Sequence, residues 1–377
     1  MKGLVRLASM LQVLENRHRR RTLSQACGLD FASNDYLGLA GSKILQRAAH
    51  EALEAGVPMG SGGSRLLRGN HPEQEALEQE AADFFGAEGA LFMGGGFQAN
   101  QALFSTLPAA EDLVIYDTMI HASAHEGMRL GRSQTRGFAH NDVGNARKII
   151  AEWRSAGGVG QIWIAVESVY SMEGDLAPLQ DLSLLSIESD AILVVDEAHA
   201  TGIYGPQGRG LAHDLQAEVL SLHTCGKALG VSGGLICGSK MVIDALVNRA
   251  RPFIFATAPT PLTAALVRAS LQALKTDNDL VASAKARIRH GHSVAQSIGL
   301  PQSILNSQII PVLLGDEART MTMATALQKQ GFDVRGIRPP TVPRGTPRLR
   351  ISVTGNVSHA DISALFDAIS QLQRNAA

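Results

Sequence analysis

The residue best suited to covalent chemistry in this sequence is a lysine in a glycine-rich segment. Of the eight lysines, seven stand among polar or charged neighbours, as surface lysines usually do. Lys227 instead lies in the segment 223–234, among small residues and with no carboxylate beside it in sequence. Desolvation lowers the pKa of a lysine and makes its amine a nucleophile or a base. A surface lysine whose stem lies along a glycine-rich turn explains the segment equally well.

A second candidate is an acidic residue at the end of an apolar run, followed by a histidine. Asp196 ends the run 191–195, and His199 comes three residues later. A buried carboxylate needs a cation or several donors, and a protonated pyridine nitrogen would serve. The letters Asp-Glu-Ala-His also occur in helicases, but that reading needs an upstream phosphate-binding loop ending in Gly-Lys-Ser/Thr. The Gly-Lys pair here lies downstream and is followed by Ala228, which excludes a helicase.

Two glycine-rich loops, 60–63 and 94–96, are the candidates for phosphate binding. The second loop opens an apolar helical pattern that includes Phe97 and runs to Leu107. Exposed backbone N–H groups at the start of a helix attract phosphate, although a flexible helix entry accounts for the same glycines. Neither loop follows a strand as Gly-x-Gly-x-x-Gly, so a dinucleotide site is not predicted.

His121 follows the apolar run that ends at Asp117, and a lone histidine in such a place is more often structural than functional. It gains weight because its ring would face the same edge of the sheet as Asp196. The spacing of His121, His125 and His199 predicts no metal site, and no Gly-x-Ser-x-Gly turn indicates a serine hydrolase.

Together these residues predict a pyridoxal phosphate site. Lys227 would hold the aldehyde as a Schiff base, and Asp196 would keep the ring nitrogen protonated so that the ring accepts electrons. Each signal alone is moderate. Their occurrence together at the ends of strands is a much stronger indication.

Composition and charge restrict the class of protein. The chain has 377 residues, a formal net charge of −1 and 45% hydrophobic residues, values typical of a soluble globular protein and not of a nucleic-acid binder. Three cysteines without Cys-x-x-Cys spacing indicate a reducing compartment. No apolar stretch is long enough for a membrane span, and the N-terminal apolar run is interrupted by charges. We therefore expect a cytoplasmic enzyme with no nucleic-acid or membrane partner.

Short apolar runs that alternate with helical patterns predict an α/β fold with a mostly parallel sheet. The predicted strands are 113–116, 162–166, 192–195 and 235–237. In such sheets the carboxyl ends of the strands line the ligand crevice, which is where Asp117, Asp196 and their neighbours fall.

The C-terminal part predicts a smaller α+β domain. It contains predicted strands at 309–314 and 349–353, a helix at 318–329 and a last helix capped by Ser358, after a long helical stretch over 261–295. We predict an N-terminal segment 1–45, a large cofactor-binding domain 46–265 and a small C-terminal domain 266–377, with both terminal segments packed together.

Several motifs resemble those of the α-oxoamine synthases, fold-type I pyridoxal phosphate enzymes that condense an amino acid with an acyl-CoA and release carbon dioxide. The resemblance runs from about Phe31 to the C-terminus and rests on the segments 34–38, 62–65, 196–202, 208–210 and 224–227. The segments 138–142 and 337–350 are most similar to the biotin-pathway branch, which joins L-alanine to a pimeloyl thioester. Another branch, using glycine or serine and a different acyl chain, is the alternative. A non-catalytic scaffold is a third reading, which the intact Lys227 disfavours.

The resemblance implies a role for each cofactor residue. Lys227 would form the Schiff base and act at the substrate Cα, Asp196 would pair with the ring nitrogen, and His199 would reach the ring hydroxyl. His121 would stack on the ring and help to position the thioester. Further contacts to the cofactor or its phosphate would come from Gly96, Phe97, Ser171, Thr224 and, from the partner subunit of a homodimer, Thr257.

The resemblance also implies substrate contacts. Asn34 and Arg338 would bind the amino-acid carboxylate, a task that suits a planar guanidinium. Thr341 is a further candidate for substrate binding. The N-terminal arginines Arg19, Arg20 and Arg21 would meet the acyl chain or the CoA phosphates, and the acyl group is carried by CoA or by an acyl carrier protein. The stretch between Arg21 and Phe31 is shorter than in many family members, which leaves open which arginine takes part. Cys225 replaces a bulkier apolar residue and is expected to pack as a small hydrophobic side chain.

Overall fold

The computed structural model describes residues 2–17, 19–300 and 307–375. Within these ranges the α-helices are α1 (Lys2–Asn16), α2 (Lys43–Glu54), α3 (Pro72–Phe85), α4 (Gly96–Thr106), α5 (Ala122–Leu130), α6 (Val143–Ser155), α7 (Leu179–Ser189), α8 (Lys240–Arg249), α9 (Arg251–Ile254), α10 (Pro261–Thr276), α11 (Asn278–Ser297), α12 (Glu317–Lys329) and α13 (His359–Asn375). The strands are β1 (Leu29–Asp30), β2 (Gly89–Met93), β3 (Leu113–Asp117), β4 (Gln134–Phe138), β5 (Ile162–Glu167), β6 (Ala191–Asp196), β7 (Val219–Thr224), β8 (Gly234–Gly238), β9 (Ile309–Leu313), β10 (Phe332–Asp333), β11 (Arg335–Ile337) and β12 (Arg348–Ser352).

The chain forms two compact units. The central unit comprises Asn34–Ser171 and Asp175–Lys285, and the terminal unit comprises Met1–Ser33, Met172–Gly174 and Ala286–Ala377. The N-terminal segment and the C-terminal region therefore belong to one unit, and the central unit is interrupted by three residues. The domain boundaries at 45/46 and 265/266 stay a prediction.

The central unit is built on a seven-stranded sheet with the order β2-β8-β7-β6-β5-β3-β4. Strand β8 is antiparallel to both neighbours, and the remaining neighbours run parallel. The four strands predicted from apolar runs are β3, β5, β6 and β8, so the predicted α/β fold with a mostly parallel sheet is confirmed.

Helices cover both faces of this sheet, which explains why its strands are apolar without interruption. In β6, Val194 packs with α4, α5, α8 and α9 on one face, whereas Leu193 and Val195 pack with α6 and α7 on the other. Alternate side chains of a strand point to opposite faces, so both sets are buried. Packing on both faces therefore fixes the position of β6, and with it the position of Asp196 at the carboxyl end of the strand.

The terminal unit contains two small sheets. The strands β9, β11 and β12 form an antiparallel sheet of order β11-β12-β9, and β1 pairs with β10 in parallel. The last helix begins after Ser358, whose Oγ accepts a hydrogen bond from the Asp361 N–H at 3.2 Å, as the sequence predicts. No helix in the described ranges is both long enough and apolar enough to cross a bilayer.

The prediction of one long helical stretch over 261–295 is wrong in one respect, because the helix is interrupted at Asp277. Helix α10 ends at Thr276 and α11 begins at Asn278, with Asp277 between them in an extended conformation (φ −105°, ψ 92°). The Asp277 carboxylate accepts hydrogen bonds from the N–H groups of Asp279 (3.0 Å) and Leu280 (3.2 Å). Its side chain thus caps a new helix, a competition with helix continuation that is typical of aspartate.

The loops that follow β3, β4 and β5 are tied together by His140. Its Nδ1 lies 2.9 Å from the Asp117 carboxylate and its Nε2 lies 2.8 Å from the Asp175 carboxylate. Burial opposes a charge on His140, but the hydrogen bonds to Asp117 and Asp175 outweigh it and raise the pKa of His140 to about 10. The imidazolium therefore holds together the loops that lead to His121 and from Ser171.

This clamp predicts a pH-dependent contribution to stability. The pKa of His140 is higher in the folded protein than the usual 6.5, so its contribution is complete below pH 6.5 and is lost as pH rises towards 10. We expect His140→Asn to lower the free energy of unfolding by about 3 kcal/mol at pH 6 and by much less above pH 10, measured by urea denaturation. The exposed His50→Asn is the control. Equal losses for His140→Asn at both pH values would contradict the charged clamp.

Candidate active site

The Asp196 carboxylate is a buried acidic group of the site, and the residue is 7% exposed. Its Oδ2 accepts a hydrogen bond from Asn100 Nδ2 at 2.8 Å, and its Oδ1 accepts one from the Ala198 N–H at 3.0 Å. These donors are neutral, so they orient the carboxylate without cancelling its charge. A cationic ring nitrogen is the kind of group that such a carboxylate can stabilise.

Lys227 lies beside His199 in the turn between β7 and β8. Lys227 Nζ is 2.8 Å from His199 Nε2, and His199 Nδ1 is 2.6 Å from the Tyr36 hydroxyl, which donates to Asn34 Oδ1 at 2.9 Å. Because the Tyr36 proton goes to Asn34, His199 Nδ1 donates to Tyr36, and Nε2 accepts from the Lys227 amine. A hydrogen-bonded row therefore runs from Asn34 to Lys227.

The turn that carries Lys227 is held by backbone hydrogen bonds and a buried thiol. The Cys225 N–H donates to Gly233 O at 2.9 Å, and the Val231 N–H donates to Cys225 O at 2.9 Å. Cys225 is fully buried, and this burial raises the pKa of its thiol, so it stays neutral. The expectation that Cys225 packs as a small hydrophobic residue agrees with this position.

The first turn of α4 forms the end of the site suited to an anion. The N–H groups of Gly96, Phe97 and Gln98 precede the first intrahelical bond, which runs from the Ala99 N–H to Gly95 O at 3.0 Å. A Cβ on Gly96 would lie 2.3 Å from Thr224 Cγ2, so only glycine fits at this approach of α4 to β7. Exposed amides at the positive end of a helix bind phosphate.

His121 caps the start of α5 and is exposed to solvent. Its Nδ1 lies 2.8 Å from Ser123 Oγ. Partial desolvation lowers the pKa of His121, and the nearby Lys227 charge acts in the same direction while Asp196 opposes it. The ring is therefore neutral around pH 7.

Asp196, Lys227, His121 and the start of α4 line one cleft of about 160 Å³ at the carboxyl ends of the strands, while His199 lies outside the lining of this cleft. It brings together six residues singled out from the sequence: Gly96, Phe97, His121, Asp196, Thr224 and Lys227. Four further residues line it that sequence reasoning did not assign: Asn100, Ser123, Glu167 and Ala198. Asn100 has a signal in the sequence, since it lies one helical turn after Gly96 and therefore on the same face.

The remaining candidates of the central unit lie outside the cleft lining. Ser171 is buried in the loop after β5, and Thr257 is exposed after α9. Asn34 is half-buried and reaches His199 through Tyr36.

The arginine candidates all lie in the terminal unit. Arg19 forms an ion pair with Glu317, and Arg20 forms one with Glu15 at 2.7 Å. Arg21 Nη2 donates to Thr341 Oγ1 at 3.3 Å, and Arg338 Nη2 donates to the Arg20 carbonyl at 3.3 Å. The sequence-predicted substrate residues of this unit thus form one cluster.

Comparison with known proteins identifies the family of this chain. The chain belongs to the aminotransferase class I and II family, whose model matches residues 27–369. Within that family it is similar to 8-amino-7-oxononanoate synthases. The one from Dechloromonas aromatica is 39% identical over 374 residues, covering 94% of this chain and 95% of the relative. The one from Marinobacter nauticus is 37% identical over 347 residues, covering 91% and 86%.

Solved structures extend the similarity to the whole fold. A serine palmitoyltransferase from S. paucimobilis with bound PLP and myriocin superposes with a TM-score of 0.88 at 27% identity, covering 98% of this chain and 97% of the other. An 8-amino-7-oxononanoate synthase from Francisella tularensis superposes with a TM-score of 0.78 at 26% identity, covering 93% and 98%. The predicted resemblance to the α-oxoamine synthases is confirmed, and the fold is that of fold-type I pyridoxal phosphate enzymes. The cofactor is pyridoxal 5′-phosphate.

The approach of Gly96 to Thr224 predicts a steric test of the anion site. Gly96→Ala forces α4 away from β7, and we expect the affinity for pyridoxal phosphate to fall about tenfold, measured by fluorescence titration of the apoprotein. Thr224→Ser removes the clashing Cγ2 and keeps the hydroxyl, so the double variant should recover most of the affinity. Unchanged binding by Gly96→Ala, or no recovery in the double variant, would contradict the proposed contact.

Proposed function

We propose that the protein catalyses the decarboxylative condensation of L-alanine with pimeloyl-CoA, or with a pimeloyl carrier protein, to 8-amino-7-oxononanoate in biotin biosynthesis. The observation that carries this proposal is the cleft in which Lys227, Asp196, His121 and the start of α4 meet. It lies in a chain that is 37–39% identical to 8-amino-7-oxononanoate synthases over nine-tenths of its length. The enzyme is an acyltransferase that forms a carbon–carbon bond.

Residues in and beside the cleft would hold pyridoxal phosphate along its whole length. The amides of Gly96 and Phe97, with Thr224, would hold the phosphate, while Asp196 would face the ring nitrogen. His121 would lie on the ring face and His199 would reach the ring hydroxyl. Ser171 would support the cofactor from the loop after β5. When bound, pyridoxal phosphate supplies an electron sink that stabilises negative charge at the Cα of the amino acid.

Lys227 would hold the cofactor through its amine and then move the proton at the substrate Cα. His199 Nε2, 2.8 Å from Lys227 Nζ, orients the amine by accepting its hydrogen bond. Because Tyr36 fixes the opposite nitrogen of this ring, the lone pair of Nε2 stays directed at Lys227. These contacts suit Lys227 to act as base and later as acid at one carbon atom.

Each unit holds candidates for binding substrate anions. Asn34 in the central unit and, separately, Arg338 in the terminal unit stay our candidates for the amino-acid carboxylate. Of the N-terminal arginines, Arg19 and Arg20 already pair with Glu317 and Glu15. Arg21 contacts a hydroxyl, that of Thr341, and is therefore best able to accept an anionic group of the acyl thioester.

A homodimer would complete the site. Three adjoining segments expose large apolar side chains: Met59 (72%), Leu66 (51%), Leu67 (83%), Phe97 (52%) and Phe255 (70%). The segments adjoin because the Ala258 N–H donates to Gly63 O at 2.9 Å and Gln98 Nε2 donates to Pro252 O at 2.5 Å. A patch of this kind indicates a protein interface. Thr257 is exposed beside Phe255, where it would reach the phosphate bound to the partner subunit.

We further propose a cytoplasmic location, with which the three free cysteines are consistent.

A second candidate is an α-oxoamine synthase that uses glycine or serine and another acyl chain. It is favoured by the serine palmitoyltransferase structure, which superposes on 98% of this chain. The two candidates separate in a matrix of L-alanine, glycine and L-serine against pimeloyl-CoA and palmitoyl-CoA, with thiol release measured. We expect release to be fastest with L-alanine and pimeloyl-CoA. Faster release with serine and palmitoyl-CoA would overturn the proposed substrates.

The role of Lys227 predicts a separation of binding from turnover. Lys227→Ala should bind pyridoxal phosphate with an affinity within about tenfold of the wild-type affinity, because the phosphate contacts remain. It should release no thiol, because the base at the substrate Cα is missing. Lys240→Ala, an exposed lysine on α8, is the matched control and should behave as wild type. In the wild type, borohydride treatment followed by peptide mapping should find the cofactor on Lys227. Attachment to another lysine would contradict the assignment.

The exposed apolar patch predicts the effect of a charge at its centre. Leu67→Asp should convert the dimer into monomers, because it places a carboxylate in the apolar part of the interface, and it should weaken cofactor binding through loss of the partner's Thr257. Analytical ultracentrifugation measures the first effect and cofactor titration the second. Leu184→Asp, on α7 and 58% exposed, is the control. A wild-type protein that is monomeric at micromolar concentration would rule out the dimer.

A further inference from the structure

Asn100 connects two parts of the site through one amide group. It is 2% exposed and lies on α4, one turn after Gly96. Its Nδ2 donates to Asp196 Oδ2 at 2.8 Å and to Ser123 Oγ at 2.9 Å, which uses both of its protons. The opposite orientation of the amide would place an oxygen against the Asp196 carboxylate, so the hydrogen-bond partners determine which end is the nitrogen.

Ser123 connects the Asn100 amide to the His121 ring through hydrogen bonds. Ser123 is 1% exposed, and its Oγ lies 2.8 Å from His121 Nδ1. Ser123 Oγ accepts a hydrogen bond from Asn100 Nδ2. The hydroxyl hydrogen of Ser123 is therefore available to donate a hydrogen bond to His121 Nδ1. The Ser123 N–H also points at Nδ1, at 3.3 Å. Two donors facing Nδ1 require it to be an acceptor, so the single proton of the neutral ring is on Nε2.

We propose that Asn100 and Ser123 are positioning residues that hold the Asp196 carboxylate in place and fix His121 as the tautomer protonated on Nε2. This inference deepens the proposed function and rests on it for its chemical meaning. With its proton on Nε2, His121 can donate a hydrogen bond to the thioester carbonyl oxygen, which gains negative charge as the Cα carbanion adds to the carbonyl carbon. With the proton on Nδ1, the same ring would present a lone pair and repel that oxygen.

The arrangement also explains why one helix serves both ends of the cleft. Gly96 and Asn100 are four residues apart, so they lie on the same face about 6 Å apart along the axis. The first presents backbone amides to an anion, and the second presents side-chain protons to Asp196. A shift of α4 would therefore disturb the phosphate site, the carboxylate and, through Ser123, the tautomer of His121.

The tautomer is tested directly by NMR of the holoenzyme labelled with ¹⁵N-histidine, in which His121→Gln identifies the resonances of His121. We expect the wild type to show the Nε2–H form alone and Ser123→Ala to show a mixture of both forms. Asn100→Leu should give a mixture as well, whereas Gln101→Leu, on the same helix, should leave the tautomer unchanged. A wild-type Nδ1–H form, or an unchanged tautomer in Ser123→Ala, overturns the inference. The wild-type spectrum decides the matter even if a variant fails to fold.

Kinetics supply a second readout that a purely structural role would not produce. Ser123→Ala should lower kcat/KM for the thioester about tenfold, as expected for one hydrogen bond at a developing charge, while KM for the amino acid stays the same. A parallel loss for both substrates would contradict the role at the thioester. If the wild type releases no thiol with any substrate pair, the proposed function fails. The NMR result still decides whether Asn100 and Ser123 fix the tautomer of His121.

Discussion

A buried carboxylate at the end of a strand is the constraint on which the rest of this site depends. Asp196 is buried at the tip of β6. A buried carboxylate is stable only if hydrogen-bond donors or a cation compensate for its desolvation. The chain supplies two neutral donors, Asn100 and the Ala198 N–H, and leaves a full negative charge beside the cleft. The surrounding elements are arranged to use that charge: α4 and α5 provide its neighbours, and the β7–β8 turn brings Lys227 to the same cleft.

The site is also electrically polar along its length. The positive end of α4 lies at one side and Asp196 at the other, which suits a ligand with a phosphate at one end and a protonated ring nitrogen at the other. Both histidines beside the cleft are set by hydrogen bonds to particular tautomers, His199 through Tyr36 and His121 through Ser123. The protein therefore fixes proton positions before substrate arrives, so little reorganisation is needed during the reaction.

Local sequence was sufficient for the features that depend on local physics. The continuous apolar run before Asp196 predicted a strand covered on both faces, and the glycines before Phe97 predicted the start of α4. It was insufficient where the partners are distant: Asn100 meets Asp196 across 96 positions, and His140 meets Asp175 across 35. The break at Asp277 was missed because helix periodicity continues through it, while the competing side-chain cap is a matter of geometry. The surroundings of Lys227 also depend on distant residues: its own segment fits a surface turn equally well, and the fold places its amine 2.8 Å from His199 Nε2 and in one cleft with Asp196.

If Asp196 pairs with the cofactor ring, the effect is measurable in the protonation state of the ring nitrogen. The holoenzyme would be reconstituted with pyridoxal phosphate carrying ¹⁵N in the ring, and the nitrogen shift followed against pH. We expect the nitrogen to stay protonated well above the pH at which the free cofactor loses this proton, and Asp196→Asn to remove the difference. A ring nitrogen that titrates in the wild type as it does in the free cofactor would show that Asp196 does not pair with it.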